Sequence, residues 1–180
     1  MGTMDFELDP PNGITGFPLG TPAETVWAAA AAKFGEVREV RGQDDDGSDH
    51  LEKLLAVHAQ FEIVFHIEDG KTLTAVELWF PRPGPEEITV HFRGIDIFRT
   101  PVSELLKQLK EMGLTVEDEM DNAFVPQLSL GFTRDADDDI PEDTDGEPLY
   151  YKAVLTGPAD YYDDILELED EDEDEPIPKA

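Results

Sequence analysis

GITGFPLGTPAETVWAAAAAKFG (13–35) and GIDIFRTPVSELLKQLKEMG (94–113) are two related stretches within a chain of 180 residues. Each begins with Gly-Ile, continues through a Phe and a Thr-Pro pair, and ends an apolar-periodic segment on a Gly. A second echo follows each stretch, with Asp-Gly at 69–70 and again at 145–146. A helix-plus-sheet unit of this size is too small to bury its own apolar face. The duplication therefore predicts two related units that close over one common core.

The spacing of residues predicts one helix in each stretch. In the first, Thr21 is the expected N-cap, Pro22 takes the first helical position and Glu24 the third, which is a capping-box arrangement. The second stretch repeats this pattern from Thr100 and Pro101. A Gly after the last apolar position predicts where each helix ends.

The clearest β signal lies between the two helices. Residues 61–67 alternate strictly between apolar and polar, and Asp69-Gly70 is a preferred two-residue hairpin turn. A turn centred there pairs Ile63 with Val76 and puts the apolar residues of both strands on the face beneath the helices. Residues 88–92 are predicted to add a third strand to that face.

The second half of the chain carries weaker strand signals. Residues 128–132 and 150–155 are predicted to repeat the two hairpin strands of the first half. Residues 54–59 fit either a strand or the start of a short helix, because so short a segment shows no decisive period. Three acidic segments are predicted to be mobile loops: 43–49, 117–121 and 135–147.

The predicted fold class is α+β, with two related helix-plus-antiparallel-sheet units packed as one domain and the helices on one face of the sheet. Residues 1–12 are predicted to form an extended lead-in, with the alternation of an edge strand. The two units are placed at 13–93 and 94–166. The remaining segment, 167–180, is predicted to be a disordered acidic tail because it lacks apolar periodicity.

The chain is strongly acidic, with 43 Asp and Glu against 13 Lys and Arg and a formal net charge of −30. Such a field repels nucleic acids and anionic membranes and attracts cationic proteins. Solubility or adaptation to high salt is the alternative explanation of the charge. There are no cysteines, which excludes disulfides and thiolate chemistry, and no signal peptide is recognised, so a cytoplasmic protein is expected. Nothing indicates an oligomeric state.

No catalytic constellation stands out, so a non-enzymatic protein without a cofactor is predicted. An EF-hand loop beginning at Asp135 fails because Ile140 stands where Gly is needed and Gly146 where Glu is needed. His66 and His91 are both predicted on the sheet face opposite the helices, as neighbours across the sheet. Beside a glutamate they are weak candidates for a metal or ligand site, which gives the alternative function.

The leading prediction is a protein-interaction module, of an immunity or regulatory type, that binds a basic partner protein. Trp and Tyr on an acidic surface are typical anchors of such a patch, and acidic loops would meet the partner's positive groups. The predicted partner-binding residues come from two of the acidic loops and from two strands: Asp44, Asp45, Asp46, Asp137, Asp138, Asp139, Trp79 and Tyr151.

Three strings carry a resemblance to known families. Gly-Ile-Asp-Ile-Phe-Arg-Thr-Pro (94–101), Leu-Ser-Leu (128–130) and Gly-Pro-Ala-Asp-Tyr-Tyr-Asp (157–163) resemble a family of small, uncharacterised acidic bacterial proteins, frequent in actinomycetes. More distantly, Phe17, Gly20 and Thr21 before a helix are similar to the repeated units of β-lactamase inhibitory proteins and BamE-type lipoproteins. The resemblance implies the architecture and no activity.

Overall fold

The computed structural model describes residues 2–163, and the predicted α+β class is confirmed there. Within these residues the structure has two α-helices, α1 (Ala23–Phe34) and α2 (Val102–Glu111), and thirteen strands. The strands of the first half are β1 (Thr3–Asp9), β2 (Gly13–Ile14), β3 (Phe17–Pro18), β4 (Glu36–Gln43), β5 (Asp49–Val57), β6 (Glu62–His66) and β7 (Ala75–Trp79). Those of the second half are β8 (Glu87–Phe92), β9 (Ile95–Asp96), β10 (Glu117–Glu119), β11 (Asn122–Val125), β12 (Leu130–Thr133) and β13 (Ala153–Thr156).

The larger sheet has eight antiparallel strands in the order β10-β11-β12-β13-β7-β6-β5-β4. The last strands of the two halves, β7 and β13, are therefore neighbours in its middle. One row of paired residues crosses seven of the strands and joins the hydrophobic core: Val37, Ala56, Ile63, Leu78, Val154, Phe132 and Ala123. Period-2 alternation along each strand puts these side chains on one face.

The smaller sheet has five strands in the order β3-β2-β1-β8-β9, and β1 runs parallel to β8. The prediction of an edge strand in residues 1–12 is wrong, because β1 has a neighbour on each side and Phe6 is fully buried. The placement of residues 88–92 beside the hairpin is also wrong. Pro81, Pro83 and Pro85 in the preceding connection lack amide hydrogens, which disfavours a tight return into the first sheet.

Both helices end where predicted but begin differently. Gly35 and Gly113 have positive φ angles of 86° and 81° just after the helices, a conformation that glycine adopts without strain. The predicted capping boxes are absent: neither helix has a side-chain N-cap hydrogen bond, and the Thr21 hydroxyl donates to the Pro18 carbonyl at 2.6 Å. The first helical amides, of Ala23 and Val102, donate instead to backbone carbonyls of distant loops.

The hairpin of β6 and β7 has its apolar face as predicted, but its register is displaced by two residues. Ile63 pairs with Leu78 instead of Val76. The turn is longer than two residues because 71–73 leave the hairpin and bond to the segment before α1, where Leu73 exchanges backbone hydrogen bonds with Gly20 and Thr21. A shift of two residues keeps each side chain on its face.

Asp69 stabilises this longer turn, and loss of its carboxylate should measurably lower the stability of the protein. Its carboxylate accepts hydrogen bonds from the amides of Lys71 (2.8 Å) and Thr72 (2.6 Å) and from the Thr72 hydroxyl. Burial opposes ionisation, but these bonds outweigh it and hold the pKa of Asp69 below its ordinary value. We expect Asp69→Ala to lower the free energy of unfolding by about 1 kcal/mol in urea titrations. Asp145→Ala is the matched control.

The pH dependence of Asp69 has a definite sign. A carboxylate whose pKa is lower in the folded state stabilises the protein above its unfolded pKa of about 3.9. That contribution is lost as the pH falls through the folded pKa. The free energies of unfolding of Asp69→Ala and Asp145→Ala should therefore become equal in acid. The Asp145 carboxylate accepts no hydrogen bond in residues 2–163, and its loss should change stability by about 0.5 kcal/mol or less. Equal losses from both variants would contradict the role given to Asp69.

The remaining expectations have mixed outcomes. The segment 54–59 is mostly strand, as part of β5, and residues 117–121 are not a loop but the hairpin of β10 and β11. Residues 126–128 form a 3₁₀ turn, so the strand predicted at 128–132 begins only at Leu130. The predicted tail, 167–180, lies outside the described residues. Within residues 2–163, neither helix has the length and apolar composition needed to cross a bilayer.

Candidate functional site

A concavity lined by aromatic and charged side chains lies at the end of β7, and we name it the Trp79 cleft. It encloses about 340 Å³, and its lining includes Phe61, Glu62, Trp79, Arg82, Asp137 and Lys152. Trp79 follows the core residue Leu78, so β-alternation turns it away from the core face. Lys152 and Asp137 come from the segment before β13, which pairs with β7.

Lys152 is the central charge of the Trp79 cleft. Its ammonium nitrogen lies 3.1 Å from Asp135 Oδ2 and 3.7 Å from Asp137 Oδ2. The same nitrogen lies 5.8 Å from the centre of the Trp79 ring, within cation–π range. The side chain is only 19% exposed. The cleft therefore already holds one ammonium group between two carboxylates and an indole.

A shallower concavity adjoins the cleft and is lined by Arg82 and residues 136–139. Arg82 is exposed, and within residues 2–163 no carboxylate lies within 4.0 Å of its guanidinium. Asp138 and Asp139 have no cation within that distance either, among the same residues. The aromatic floor, the carboxylates and the free guanidinium suit a guest with an apolar body and charged groups.

A partly buried histidine, His58, forms another part of the cleft wall. The His58 Nδ1 atom accepts a hydrogen bond from the Gln60 amide at 3.2 Å, which leaves Nε2 to face Glu86 Oε2 at 3.4 Å. Gln60 also fixes the proline-rich loop, because its side chain bonds to the Glu86 amide and carbonyl at 2.9 Å each. The segment that carries His58 and Gln60 is thus tied to Glu86 of the proline-rich loop by side-chain hydrogen bonds of Gln60.

The structure separates the predicted partner-binding residues into three places. Trp79 and Asp137 lie together in the cleft, with Asp138 and Asp139 in the adjoining concavity. The acids at 44–46 lie in the turn between β4 and β5, and β6 separates that hairpin from β7 in the larger sheet. That turn is closed by hydrogen bonds from Ser48, which hold the pKa of Asp46 below its ordinary value.

Tyr151 does not belong to the predicted binding surface. It is 1% exposed, and its ring packs 5.1 Å from that of Phe132. Burial, with a smaller effect of the Asp118 charge, raises the pKa of its hydroxyl. The assignment of Tyr151 to partner binding is wrong because the phenol fills the core instead of facing solvent.

The predicted pair of histidines is also separated. His66 lies on β6 of the larger sheet, 3.5 Å from Glu77 Oε2, whereas His91 lies on β8 of the smaller sheet, 3.2 Å from Asp5 Oδ1. The two are therefore not neighbours across one sheet. Nowhere in residues 2–163 do three His, Asp or Glu side chains come together in a group that could hold a metal ion.

The segment after β13 packs two tyrosines against glycines. A side chain at Gly131 would collide with the Tyr162 hydroxyl, and one at Gly157 would collide with the Tyr161 ring. Tyr161 donates a hydrogen bond to Glu68 Oε1 at 2.9 Å, and Tyr162 packs 4.9 Å from Phe124. The sequence alone did not mark Gly131 and Gly157 as positions that receive these tyrosines.

Two cations of the cleft were missed by sequence reasoning. Arg82 and Lys152 are two of only 13 basic residues, and their scarcity in so acidic a chain is the signal that could have marked them. Neither lies in a motif: Arg82 is in the proline-rich connection just after β7, and Lys152 comes beside Trp79 from a segment distant in sequence. Comparison of the chain with protein families, with curated proteins and with solved structures finds no match.

Proposed function

We propose that this chain is a non-enzymatic interaction module that binds a basic partner protein, of an immunity or regulatory type, in the cytoplasm. One observation carries the proposal: Trp79 and Asp137, both expected to contact a partner, line the same cleft. The cleft would receive an apolar or cationic side chain of the partner. The acids at 137–139 would meet positive groups around it.

The internal contact of Lys152 supports a cationic guest. An ammonium group between Asp135, Asp137 and the Trp79 ring is the arrangement that a partner's Lys or Arg would reproduce. The net charge of −30 supplies the long-range attraction that speeds encounter with a basic protein at low salt. The Trp79 cleft determines where on this acidic surface the partner's side chain binds.

The first test measures binding of a hexa-arginine peptide by calorimetry. Trp79→Ala should weaken binding about tenfold, as loss of an aromatic anchor does. The triple variant D137N/D138N/D139N should weaken it by at least as much. Lys152→Met, which frees Asp135 and Asp137, should tighten it. All measurements are repeated at higher salt, where the attraction should fall.

The matched control removes three charges elsewhere on the chain. E117Q/D118N/E119Q changes the net charge by the same amount as the cleft triple variant, but on β10. It should leave most of the affinity intact. If both triple variants weakened binding equally, the overall negative charge of the chain would explain the binding, and a site at Trp79 would be contradicted.

We also infer that the two halves descend from one duplicated unit with its helices on one face of the sheet. In support, each half has a long strand, then a helix and four strands of the larger sheet, with two short strands before the helix in the first half and one in the second. Each helix donates its first amide to the loop that carries the Asp-Gly echo, at Lys71 and at Leu149. The unit boundary would then lie between β7 and β8 instead of after residue 93.

A further inference from the structure

The two ends of the eight-stranded sheet differ in charge. At one end, β10 consists of three acids, Glu117–Glu119. At the other, the strand Glu36–Gln43 of β4 has a neighbour on one side only among the strands in residues 2–163. An unpaired edge can accept another chain, and proteins commonly block it with charge. The three acids of β10 repel the β10 strand of a second copy. The charges of β4 are of both signs and do not repel a second β4 strand.

The charges of β4 balance each other. Arg38 lies 2.6 Å from Glu36 and Arg41 lies 3.0 Å from Glu39, each pair on one face of the strand. The four side chains are between 45% and 62% exposed. Two copies of a chain with net charge −30 repel each other over most of their surfaces. The neutral edge of β4 is a place where that repulsion is weakest.

The sequence of β4 is self-complementary in one register. In a symmetric antiparallel pair, residues opposite each other lie on the same face of the sheet. A register centred on Val40 meets this condition and retains residues 37–43 of both copies. It places Val40 opposite Val40 and Glu39 opposite Arg41 on either side. The other register with unlike charges opposite, centred on Val37, retains only 36–38 before it reaches α1.

Exposed apolar surface lies beside this edge. Trp27 of α1 is 45% exposed, and it lines a groove of about 300 Å³ together with Glu39, Arg41 and Leu51. In the register centred on Val40, the Glu39 and Arg41 side chains of both copies form a ring of alternating charge next to this groove. Pairing would therefore cover part of the Trp27 surface as well as the strand edge.

We propose that the occupant of this edge is a second copy of the chain. Two β4 strands pair antiparallel about Val40 and join the larger sheets of both copies into one continuous sheet. The contact does not involve the Trp79 cleft, so the dimer presents two clefts at a distance from the interface. This proposal does not depend on the function assigned to the cleft.

The test exchanges the charges of the edge and measures mass by sedimentation equilibrium. The wild-type chain should be dimeric at micromolar concentration. Arg38→Glu with Arg41→Glu makes the edge wholly acidic, and Glu36→Arg with Glu39→Arg makes it wholly basic. Each variant alone should be monomeric because like charges now meet at the edge. An equimolar mixture of the two should recover a dimer that contains one copy of each.

The basic-edge variant separates this proposal from a general effect of charge. It is less negative than the wild-type chain, so general repulsion alone would make it associate more strongly, whereas edge pairing makes it monomeric. Lys107→Glu with Lys110→Glu, on the exposed side of α2, is the matched control for the acidic variant and should leave the dimer intact. Circular dichroism confirms that each variant is folded. Three results would each overturn the proposal: a wild-type chain that is monomeric, an acidic-edge or basic-edge variant that is dimeric on its own, or a mixture of the two variants that stays monomeric.

Discussion

Replacement of Phe6 by alanine is expected to lower the free energy of unfolding by about 3–5 kcal/mol. Phe6 is 0% exposed, and its ring centre lies 5.7 Å from that of Phe61 and 6.1 Å from that of Phe34. The substitution leaves a cavity where the two sheets and α1 meet. Urea unfolding followed by circular dichroism measures the loss.

The control for this prediction keeps the apolar volume. Phe6→Leu should cost about 1.5 kcal/mol or less, because leucine fills most of the space that alanine leaves empty. The comparison also tests where the first residues of the chain lie. If Phe6→Ala cost only about 0.5 kcal/mol, as a surface substitution does, β1 would not belong to the cooperative core.

A steep loss of stability is expected in alkali. Burial raises the pKa of the Tyr151, Tyr161 and Tyr162 hydroxyls, and nearby carboxylates add to the effect. In the unfolded chain a tyrosine ionises near pH 10. Below that pH both states keep the proton and stability does not depend on it. Above it only the unfolded chain releases the proton, so stability falls by about 1.4 kcal/mol per pH unit for each such tyrosine.

Tyr162→Phe isolates one tyrosine of this group. Its hydroxyl makes no hydrogen bond within residues 2–163, so the substitution removes the ionisation with little other change. The alkaline slope should become shallower by the share of one tyrosine. Urea titrations across the alkaline range, with tyrosinate absorbance recorded alongside, give both quantities. If all tyrosinate absorbance appeared near pH 10 while the circular dichroism stayed native, the prediction would be wrong.

Local signals in the sequence were enough to predict the helix ends and the apolar face of the hairpin. Gly35 and Gly113 mark the ends because a left-handed backbone conformation favours glycine whatever surrounds it. The apolar face predicted from the alternation over 61–67 is correct although the predicted register is wrong, because a shift of two residues keeps each side chain on its face. Both features depend on near neighbours in the chain.

Features set by distant contacts could not be predicted. The first amide of α1 donates its hydrogen bond to the Lys71 carbonyl. A cap by the Thr21 side chain is therefore not needed. The parallel pairing of β1 with β8 joins residues far apart in sequence, and no local pattern distinguishes it from an edge strand. The same limit applies to the site, where Trp79 was identified but Lys152, which comes beside it from a segment distant in sequence, was not.

The position of β13 in the larger sheet bears on how the chain matures during translation. Among the strands in residues 2–163 it is the last in sequence, yet it is inserted between β12 and β7 in the middle of the sheet. While the ribosome is still making it, the strands already synthesised can form only two separate pieces with bare edges. Completion of the native sheet thus waits for residues 153–156 to emerge, and nascent chains that stall before this point carry the greatest risk of aggregation.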